Sequence, residues 1–459
     1  MDDSIGKGVG AKKPALSKKT PRLLILGIVV FIIGGVTLWA VIHKRETDTN
    51  VYEKSVSLAD DYLAKKEYAD ALENYYEAAK VKPSEIKPYQ GIITILLDKN
   101  LPDKLGDYIT VAQYHLSEED LNSLYKQIGQ YYYANREWDK ALENYEGISD
   151  SAMTEDDEIV LADIYVHTGD LDKAKEVFDR YPDSESDPSK VWASYSRITT
   201  KTKLFDVAKE SQSLLNDGYP NLVVALLSAR EKEMNNYWEG NYYLGRAYWE
   251  IDDTENALKY LEKADSLNAI DSGVYLYLAR IYNEKGETTN SDDYYGRALS
   301  FSNSSDRAQI LYEYIETLSS ESRYNTGLDI MSVFATDSID SDYQYFLLYL
   351  GNGSEENTLK YLNKIEKSLT DGWDYYDKFL YQAGDFYLSK SNLGKAHIYE
   401  TKLFERDEFS PYGYLLKGES LLENGDYEAA KAALESSIEY DINGSVSSEA
   451  KRQLDLIAE

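Results

Sequence analysis

Residues 237–264 read YWEGNYYLGRAYWEIDDTENALKYLEKA, and the order of small and large residues in this segment returns 34 residues later. Counted from Trp238 as position 1, the recurring residues stand at relative positions 7, 8, 11, 20, 24 and 27, occupied by Leu244, Gly245, Tyr248, Ala257, Leu261 and Ala264. The second copy has at the same positions Leu278, Ala279, Tyr282, Ser291, Tyr295 and Ala298. Spacings of three, four and seven residues lie on one face of an α-helix, so the segment predicts two helices joined by a turn.

The small residues at positions 8 and 20 indicate how the two helices pack. Gly245 stands on the first helix and Ala257 on the second, and small residues let two helix backbones approach closely. The turns carry a glycine followed by an acidic residue, as in Gly169-Asp170 and Gly286-Glu287. Glycine adopts the left-handed backbone at a helix end, and the acidic residue caps the next helix. We therefore expect position 8 to contact position 20 within each pair.

Five further copies of the pattern occur, with the position-8 residues Ala59, Gly129, Ala162, Gly384 and Gly418. Weaker copies fill the gaps, near 86–118, 189–216, 308–335 and 339–369. The 34-residue spacing and the small–large–small order resemble the tetratricopeptide repeat (TPR) family, which implies helix–turn–helix units. One such unit cannot cover its own apolar face, so neighbouring units must stack.

The repeats predict an all-α protein, an α-solenoid of about 10–11 TPR-like helix pairs over 51–443 with a C-terminal capping helix in 444–459. The period is irregular at 183–236, where Leu222–Lys232 has the composition of an additional helix. A kink, or a boundary between two sub-arrays, is the expected consequence.

The amino-terminal part differs from the repeats and predicts one transmembrane helix. Leu23–Ile42 holds twenty residues without a charge, and a helix of this length spans about 30 Å, the thickness of the hydrocarbon core. A cleaved signal peptide is the alternative, but its apolar run is shorter, and here basic residues follow instead of a cleavage site. Residues 1–22 are then a basic tail and 43–50 a juxtamembrane linker.

Basic residues flank the predicted membrane span unevenly and indicate its orientation. Six Lys or Arg precede the span and two, Lys44 and Arg45, follow it. The positive-inside tendency therefore places the amino terminus in the cytoplasm and the repeats on the extracytoplasmic side of the cell membrane. The inverse arrangement, with the repeats in the cytoplasm, is the alternative.

The net charge restricts the class of partner. The 459 residues carry a net charge of −32, and residues 1–45 contribute +6 from eight basic and two acidic side chains, so the remainder carries −38. An acidic body repels nucleic-acid phosphates and attracts basic groups. The expected partner is therefore a protein or peptide, with a basic one favoured, and not a nucleic acid.

Motifs of catalytic chemistry are missing from the sequence. It contains no cysteine, no glycine-rich phosphate loop, no G-x-S-x-G and no H-E-x-x-H. His115 precedes Glu118 and Glu119, but a single histidine of this kind is more typical of a helix surface than of a metal site, and the same holds for His167. We predict no enzymatic activity, no cofactor and no metal.

The resemblance implies a binding groove lined by the first helix of each unit at relative positions 2, 5, 9, 12 and 13. Carried over by position, the candidate partner-binding residues are Tyr242, Arg246, Trp249, Leu276, Arg280, Asn283, Lys126, Gln130, Tyr133 and Tyr381. Arg246 and Arg280 are one repeat apart, so two adjacent guanidiniums are placed to hold a carboxylate or an acidic peptide. The alternative is that each arginine pairs with the glutamate four residues on, Glu250 or Glu284. The Lys and Asn set with which family members grip a C-terminal carboxylate is not reproduced.

Together these features predict a membrane-anchored, extracytoplasmic TPR scaffold that binds a protein or peptide partner in bacterial cell-envelope assembly or secretion. The narrower assignment to the envelope rests on analogy with the family. The alternatives are a cytoplasm-facing TPR adaptor, and a regulatory or structural subunit of an envelope complex without its own ligand groove.

Overall fold

The computed structural model describes residues 48–99, 105–441 and 444–458, and these residues form 24 α-helices and no β-strand. Helix α1 covers 48–64. The helices that follow are α2 (Tyr68–Val81), α3 (Ile86–Asp98), α4 (Leu105–His115), α5 (Glu118–Ala134), α6 (Trp138–Glu146), α7 (Glu155–Thr168), α8 (Leu171–Arg180), α9 (Asp187–Thr199), α10 (Leu204–Asn216), α11 (Pro220–Ser228), α12 (Trp238–Glu250), α13 (Thr254–Ser266), α14 (Ser272–Glu284), α15 (Thr288–Phe301), α16 (Ser304–Ser320), α17 (Tyr324–Phe334), α18 (Ile339–Asn352), α19 (Glu355–Ser368), α20 (Tyr376–Leu388), α21 (Leu393–Arg406), α22 (Pro411–Glu423), α23 (Tyr427–Tyr440) and α24 (Ser447–Ala458). The prediction of an all-α protein is confirmed for the described part of the chain.

The chain divides into two compact units. The first contains the described residues up to Tyr131 together with Gly147–Ala152, and the second contains Tyr132–Glu146 and the described residues from Met153 onward. Within the second unit, consecutive helices pack as pairs, namely α7 with α8, α9 with α10, α12 with α13, α14 with α15, α16 with α17, α18 with α19, α20 with α21, and α22 with α23. The irregular stretch 183–236 lies inside this unit, so it is not the boundary between the two.

A single helix interrupts the series of pairs within this irregular stretch. The sequence predicts it over Leu222–Lys232, whereas α11 runs from Pro220 to Ser228 and is followed by a 3₁₀ turn at Glu233–Asn236. Proline suits the first position of a helix because its ring fixes a helical φ and the missing N–H has no partner there. Helix α11 packs on α7, α10 and α12, and its buried leucines, such as Leu227, belong to the shared core.

The predicted close approach of positions 8 and 20 is present in the helix pairs. A Cβ atom on Gly245 would lie 3.0 Å from the backbone nitrogen of Leu261 and 3.2 Å from the carbonyl oxygen of Ala257. A Cβ atom on Gly418 would lie 3.5 Å from the carbonyl oxygen of Ala430. In the pairs α12–α13 and α22–α23 the backbone of the second helix therefore lies against the glycine of the first, which confirms the predicted contact there. At Gly384 on α20 the atoms nearest to an added Cβ belong instead to Leu416 on α22.

The glycine–acid turns follow the predicted chemistry in part. Gly169 has a φ of 87°, and the side chain of Asp170 accepts a hydrogen bond from the backbone N–H of Lys173 at the start of α8. Gly286 also has a positive φ, of 71°, but the side chain of Glu287 makes no capping hydrogen bond. A glutamate has one more methylene than an aspartate, and the shorter side chain is the better N-cap.

Polar clusters connect neighbouring helix pairs in the second compact unit. Asp265 on α13 accepts hydrogen bonds from the Tyr294 hydroxyl at 3.2 Å and from Arg297 Nη1 at 3.1 Å, both on α15. The same arrangement of one acid, one tyrosine and one basic residue recurs around Glu146, Glu231, Asp292 and Glu366. Each carboxylate belongs to one helix pair or connecting turn and its donors to a later one, so the clusters hold successive repeats together.

The predicted transmembrane helix, Leu23–Ile42, lies outside the described residues, as does the basic tail of residues 1–22. Among the residues that the structure describes, no helix has both the length and the apolar character needed to cross a membrane. Residues 48–50, assigned from the sequence to the linker, belong to α1.

Replacing Gly245 by alanine tests the contact between positions 8 and 20. The added Cβ meets backbone atoms, which cannot rotate away, so we expect Gly245→Ala to lower the free energy of unfolding by about 1–3 kcal/mol. Gly296→Ala in α15 is the matched control, because no atom lies within 4 Å of its added Cβ. There the higher helix propensity of alanine should raise the stability by up to about 1 kcal/mol. Urea denaturation measures both variants, and equal effects would contradict the close approach.

Candidate functional site

Six of the predicted partner-binding residues lie on two helices that pack on each other, and all six side chains are half-buried. They are Tyr242, Arg246 and Trp249 on α12, and Leu276, Arg280 and Asn283 on α14. Spacings of three and four residues place each set of three on one face of its helix. Together with Tyr277, these residues form what we call the α12–α14 surface.

Tyr277 lies at the centre of this surface and is not among the residues predicted from the sequence. Its ring centroid is 5.1 Å from the guanidinium carbon of Arg280, 6.4 Å from the ring of Tyr242 and 6.5 Å from that of Trp249. Burial raises the pKa of Tyr277, and the positive charges of Arg246 and Arg280 act in the opposite direction. An aromatic residue three positions before Arg280 is the sequence signal that points to it.

Each arginine of the α12–α14 surface is paired with a carboxylate of the chain itself. Arg246 Nε donates to Glu250 Oε1 at 2.7 Å, which confirms the pairing four residues on. Arg280 donates through Nε and Nη2 to both carboxylate oxygens of Glu313 on α16, at 2.8 and 2.6 Å. The expected pairing of Arg280 with Glu284 is wrong, because Glu313 of the next helix pair meets the guanidinium with both oxygens while Glu284 stays exposed.

These pairings change what the α12–α14 surface offers to a partner. Two guanidiniums are balanced by two carboxylates, so a carboxylate of a partner must displace Glu250 or Glu313 before it is held. The two hydrogen bonds on Arg280 also fix its orientation more firmly than a single bond does. Aromatic rings and the stems of the arginines therefore provide most of the contact area.

Two further predicted residues are paired with the next repeat in the same manner. The Tyr133 hydroxyl on α5 donates to Asp163 Oδ2 on α7 at 2.7 Å, and the Tyr381 hydroxyl on α20 donates to Glu419 Oε1 on α22 at 3.0 Å. Burial raises the pKa of Asp163, and the hydroxyl bonds partly counteract this rise. Neither tyrosine belongs to the α12–α14 surface, so the structure does not bring all predicted residues of the second unit to one place.

The remaining predicted residues, Lys126 and Gln130, belong to the first compact unit. Lys126 lines an open cavity of about 770 Å³ with Asn122 and Ser149, and Gln130 is exposed. Both Asn122 and Ser149 line this cavity, and Asn122 Nδ2 donates a hydrogen bond to Ser149 Oγ at 2.9 Å. The two residues therefore have different surroundings although they lie four positions apart on α5.

His167 lies in a stack of aromatic rings. Its ring is 3.7 Å from that of Trp138 and 4.7 Å from that of Tyr219, measured between centroids. Burial, with a smaller contribution from the charge of Arg136, lowers the pKa of His167 to about 4, so the ring is neutral at pH 7. Within 48–99, 105–441 and 444–458, no three His, Asp or Glu side chains are grouped to hold a metal ion. The histidine therefore acts as a packing residue between α6, α7 and the loop before α11.

A sequence profile described as Tetratricopeptide repeat matches three segments of the chain, 159–181, 239–271 and 411–441. These segments coincide with the helix pairs α7–α8, α12–α13 and α22–α23. The chain therefore contains tetratricopeptide repeats. No curated protein matches the sequence.

Solved structures similar to this TPR protein include a tetratricopeptide repeat protein from Parabacteroides merdae, at 16% identity over 58% of this chain and 100% of the other, with a TM-score of 0.43. The Cut9–Hcn1 hetero-tetramer of the APC/C is similar at 11% identity over 89% of this chain and 96% of the other, with a TM-score of 0.35. PilW, a type IV pilus biogenesis factor, is similar at 17% identity over 48% of this chain and 98% of its own, with a TM-score of 0.33.

A double-mutant cycle tests the pairing of Arg280 with Glu313. We expect a coupling free energy of about 1–2 kcal/mol between Arg280→Ala and Glu313→Ala, because two charge-assisted hydrogen bonds join half-buried groups. The matched cycle of Arg246→Ala with Glu250→Ala should give about 0.5 kcal/mol or less, as a single-contact pair within one helix does. Urea denaturation of the six variants measures both values. Equal coupling in the two cycles would show that the bidentate contact does not form.

Proposed function

We propose that this TPR protein is a membrane-tethered scaffold that binds a protein or peptide partner on its α12–α14 surface. The half-buried cluster of Tyr242, Trp249 and Tyr277 with Arg246 and Arg280 supports this most directly. Tryptophan, tyrosine and arginine contribute most of the binding energy in protein interfaces, and they do so from sites that are already largely desolvated. The surface therefore suits a partner that presents apolar side chains with polar groups around them.

We propose that the chain binds its partner without catalysing a reaction. Tetratricopeptide repeats are in general interaction scaffolds and not catalytic domains. Two carboxylates beside the α12–α14 surface, Glu250 and Glu313, are engaged in ion pairs with its arginines. We infer that the chain acts by holding its partner in place.

The amino-terminal sequence supports the membrane part of this proposal. Leu23–Ile42 is apolar and uncharged, and more basic residues precede it than follow it. We therefore propose a single-pass anchor with the amino terminus in the cytoplasm and the repeats on the extracytoplasmic face. A scaffold in that place serves cell-envelope assembly or secretion.

The charge of the repeats supports a basic partner. Residues 46–459 carry −38, because the whole chain carries −32 and residues 1–45 contribute +6. Long-range attraction to this body accelerates the encounter with a basic protein, and contact with the aromatic cluster then slows its release. Added salt screens the first effect and leaves the second, so the two are separable by experiment.

A photo-crosslinking residue at position 283 tests the α12–α14 surface in intact cells. We expect a crosslinker in place of Asn283 to give a discrete protein adduct, and Trp249→Ala to reduce its yield about tenfold, because interface anchors of this kind contribute about 1–2 kcal/mol or more. Lys263→Ala, on the exposed side of α13, is the matched control and should leave the yield unchanged. Mass spectrometry of the adduct identifies the partner.

Two outcomes would contradict the assignment to the α12–α14 surface, and a third would contradict the electrostatic part of the proposal. Adduct yield that is unchanged in Trp249→Ala, or adducts that form only from the exposed Glu255 position on α13, would place the partner on the other helix of the repeat. Yield that does not fall as salt is raised would remove the electrostatic contribution.

Protease treatment of intact cells tests the membrane topology. We expect the repeats to be degraded while a cytoplasmic marker survives, and deletion of Leu23–Ile42 to release the repeats from the membrane fraction. Survival of the repeats until the cells are lysed would establish the cytoplasm-facing adaptor instead.

A further inference from the structure

Glu419 on α22 lies where the last helix pair meets the C-terminal helix α24. Its Oε1 atom accepts a hydrogen bond from the Tyr381 hydroxyl on α20 at 3.0 Å and one from Gln453 Nε2 on α24 at 3.4 Å. Its Oε2 atom is fully enclosed and has no hydrogen-bond partner among the described residues. Ionisation of a carboxyl group enclosed in this way costs free energy, because the buried charge loses its hydration and the second oxygen has no hydrogen-bond donor to replace the water.

The charged groups around Glu419 do not compensate this cost. Asp385 on α20 and Glu449 on α24 both carry negative charge towards it. Arg452 on α24 carries positive charge, but its Nε donates to Glu449 Oε2 at 2.8 Å, so it is committed to another carboxylate. Glu419 therefore faces acids from both neighbouring helices and one cation that is already paired.

Helix α24 covers the apolar end of the helical array. Val446 and Ala450 are buried in one cluster with Leu415 of α22 and Leu434 of α23. Gln453 also reaches Glu449 Oε1 at 2.9 Å, so the polar contacts of α24 converge on the side that faces Glu419. Docking of α24 thus buries apolar surface and encloses the Glu419 carboxyl group in the same step.

We propose that a proton on Glu419 controls the docking of α24. The neutral carboxyl group is enclosed without charge repulsion, so α24 stays on α22 and α23 when Glu419 is protonated. The ionised group repels Asp385 and Glu449 within the enclosed site, which weakens docking and exposes the apolar surface around Leu415 and Leu434. This switch depends neither on the membrane anchor nor on the α12–α14 surface.

The direction of the pH dependence follows from the two states of Glu419. Burial, and then the charge of Asp385, raise its pKa from the ordinary 4.5 to about 8 when α24 is docked. A group whose pKa is raised by docking contributes stability that is complete below 4.5 and is lost as the pH rises to about 8. Release of one proton changes the docking equilibrium by about tenfold per pH unit inside this window.

Hydrogen–deuterium exchange of the full chain tests the switch. Protection factors of the amides of 447–458, corrected for intrinsic exchange, should fall by up to about tenfold per pH unit from pH 5 to 8 and then level off. Glu419→Gln keeps the neutral shape and should remove this dependence. Glu423→Gln, at an exposed position four residues on in α22, is the matched control and should behave as the unaltered chain does. The amides of 272–284 in α14 serve as the internal reference.

A second variant keeps the test decisive if Glu419→Gln impairs folding. Asp385→Asn removes a neighbouring negative charge and so lowers the pKa of docked Glu419, which should make the protection of 447–458 level off at a lower pH than in the unaltered chain. Protection that is independent of pH in the unaltered chain would overturn the proposal. So would a pH dependence that is the same in Glu419→Gln as in Glu423→Gln.

Discussion

Each helix pair presents an apolar face that a neighbouring pair covers, and the other contacts between the repeats follow from this need. One cluster of buried residues runs from Ala257 on α13 to Leu348 on α18, and another from Ile159 on α7 to Tyr260 on α13. No pair in these clusters has a core of its own, so burial of apolar surface at every junction is the main stabilising contribution. Gly245 contributes to this burial, because it lets the two helices of a pair lie close together and present one continuous apolar face to the next pair.

The polar chemistry of the junctions is a consequence of this stacking. Groups that leave water when two pairs meet must find partners, and a carboxylate with a tyrosine hydroxyl and a basic side chain satisfies that need. Asp265 with Tyr294 and Arg297 is one instance. Tyrosine suits these places because its ring is buried while its hydroxyl reaches the carboxylate of the neighbour. Some of the acidic and tyrosine residues of the chain therefore serve to join the repeats.

Pairing between repeats also limits what the protein offers to a partner. Arg280, Tyr133 and Tyr381 all occupy positions that suggest an open groove, yet each is bonded to an acid of the next repeat. On the α12–α14 surface the charges of the arginines are balanced, so the proposed partner would gain its affinity mainly from the aromatic side chains. At Glu419 the same kind of junction carries more acid than base, and the proposed proton switch rests on this imbalance. The proposed recognition and the proposed regulation would thus use one type of contact with different charge balances.

The helix pairs and the contact between Gly245 and Ala257 were predictable from the amino-acid pattern alone, because the helical period and a short turn fix which residues of one repeat face each other. Six of the seven residues of the α12–α14 surface were also predicted, from their positions within the repeat. The pairing of Arg280 with Glu313, 33 residues away, and the packing of Tyr277 on Arg280 near the charge of Arg246 could not be predicted from the sequence. These contacts depend on the angle and offset at which one pair stacks on the next, and local spacing in the sequence does not record that geometry.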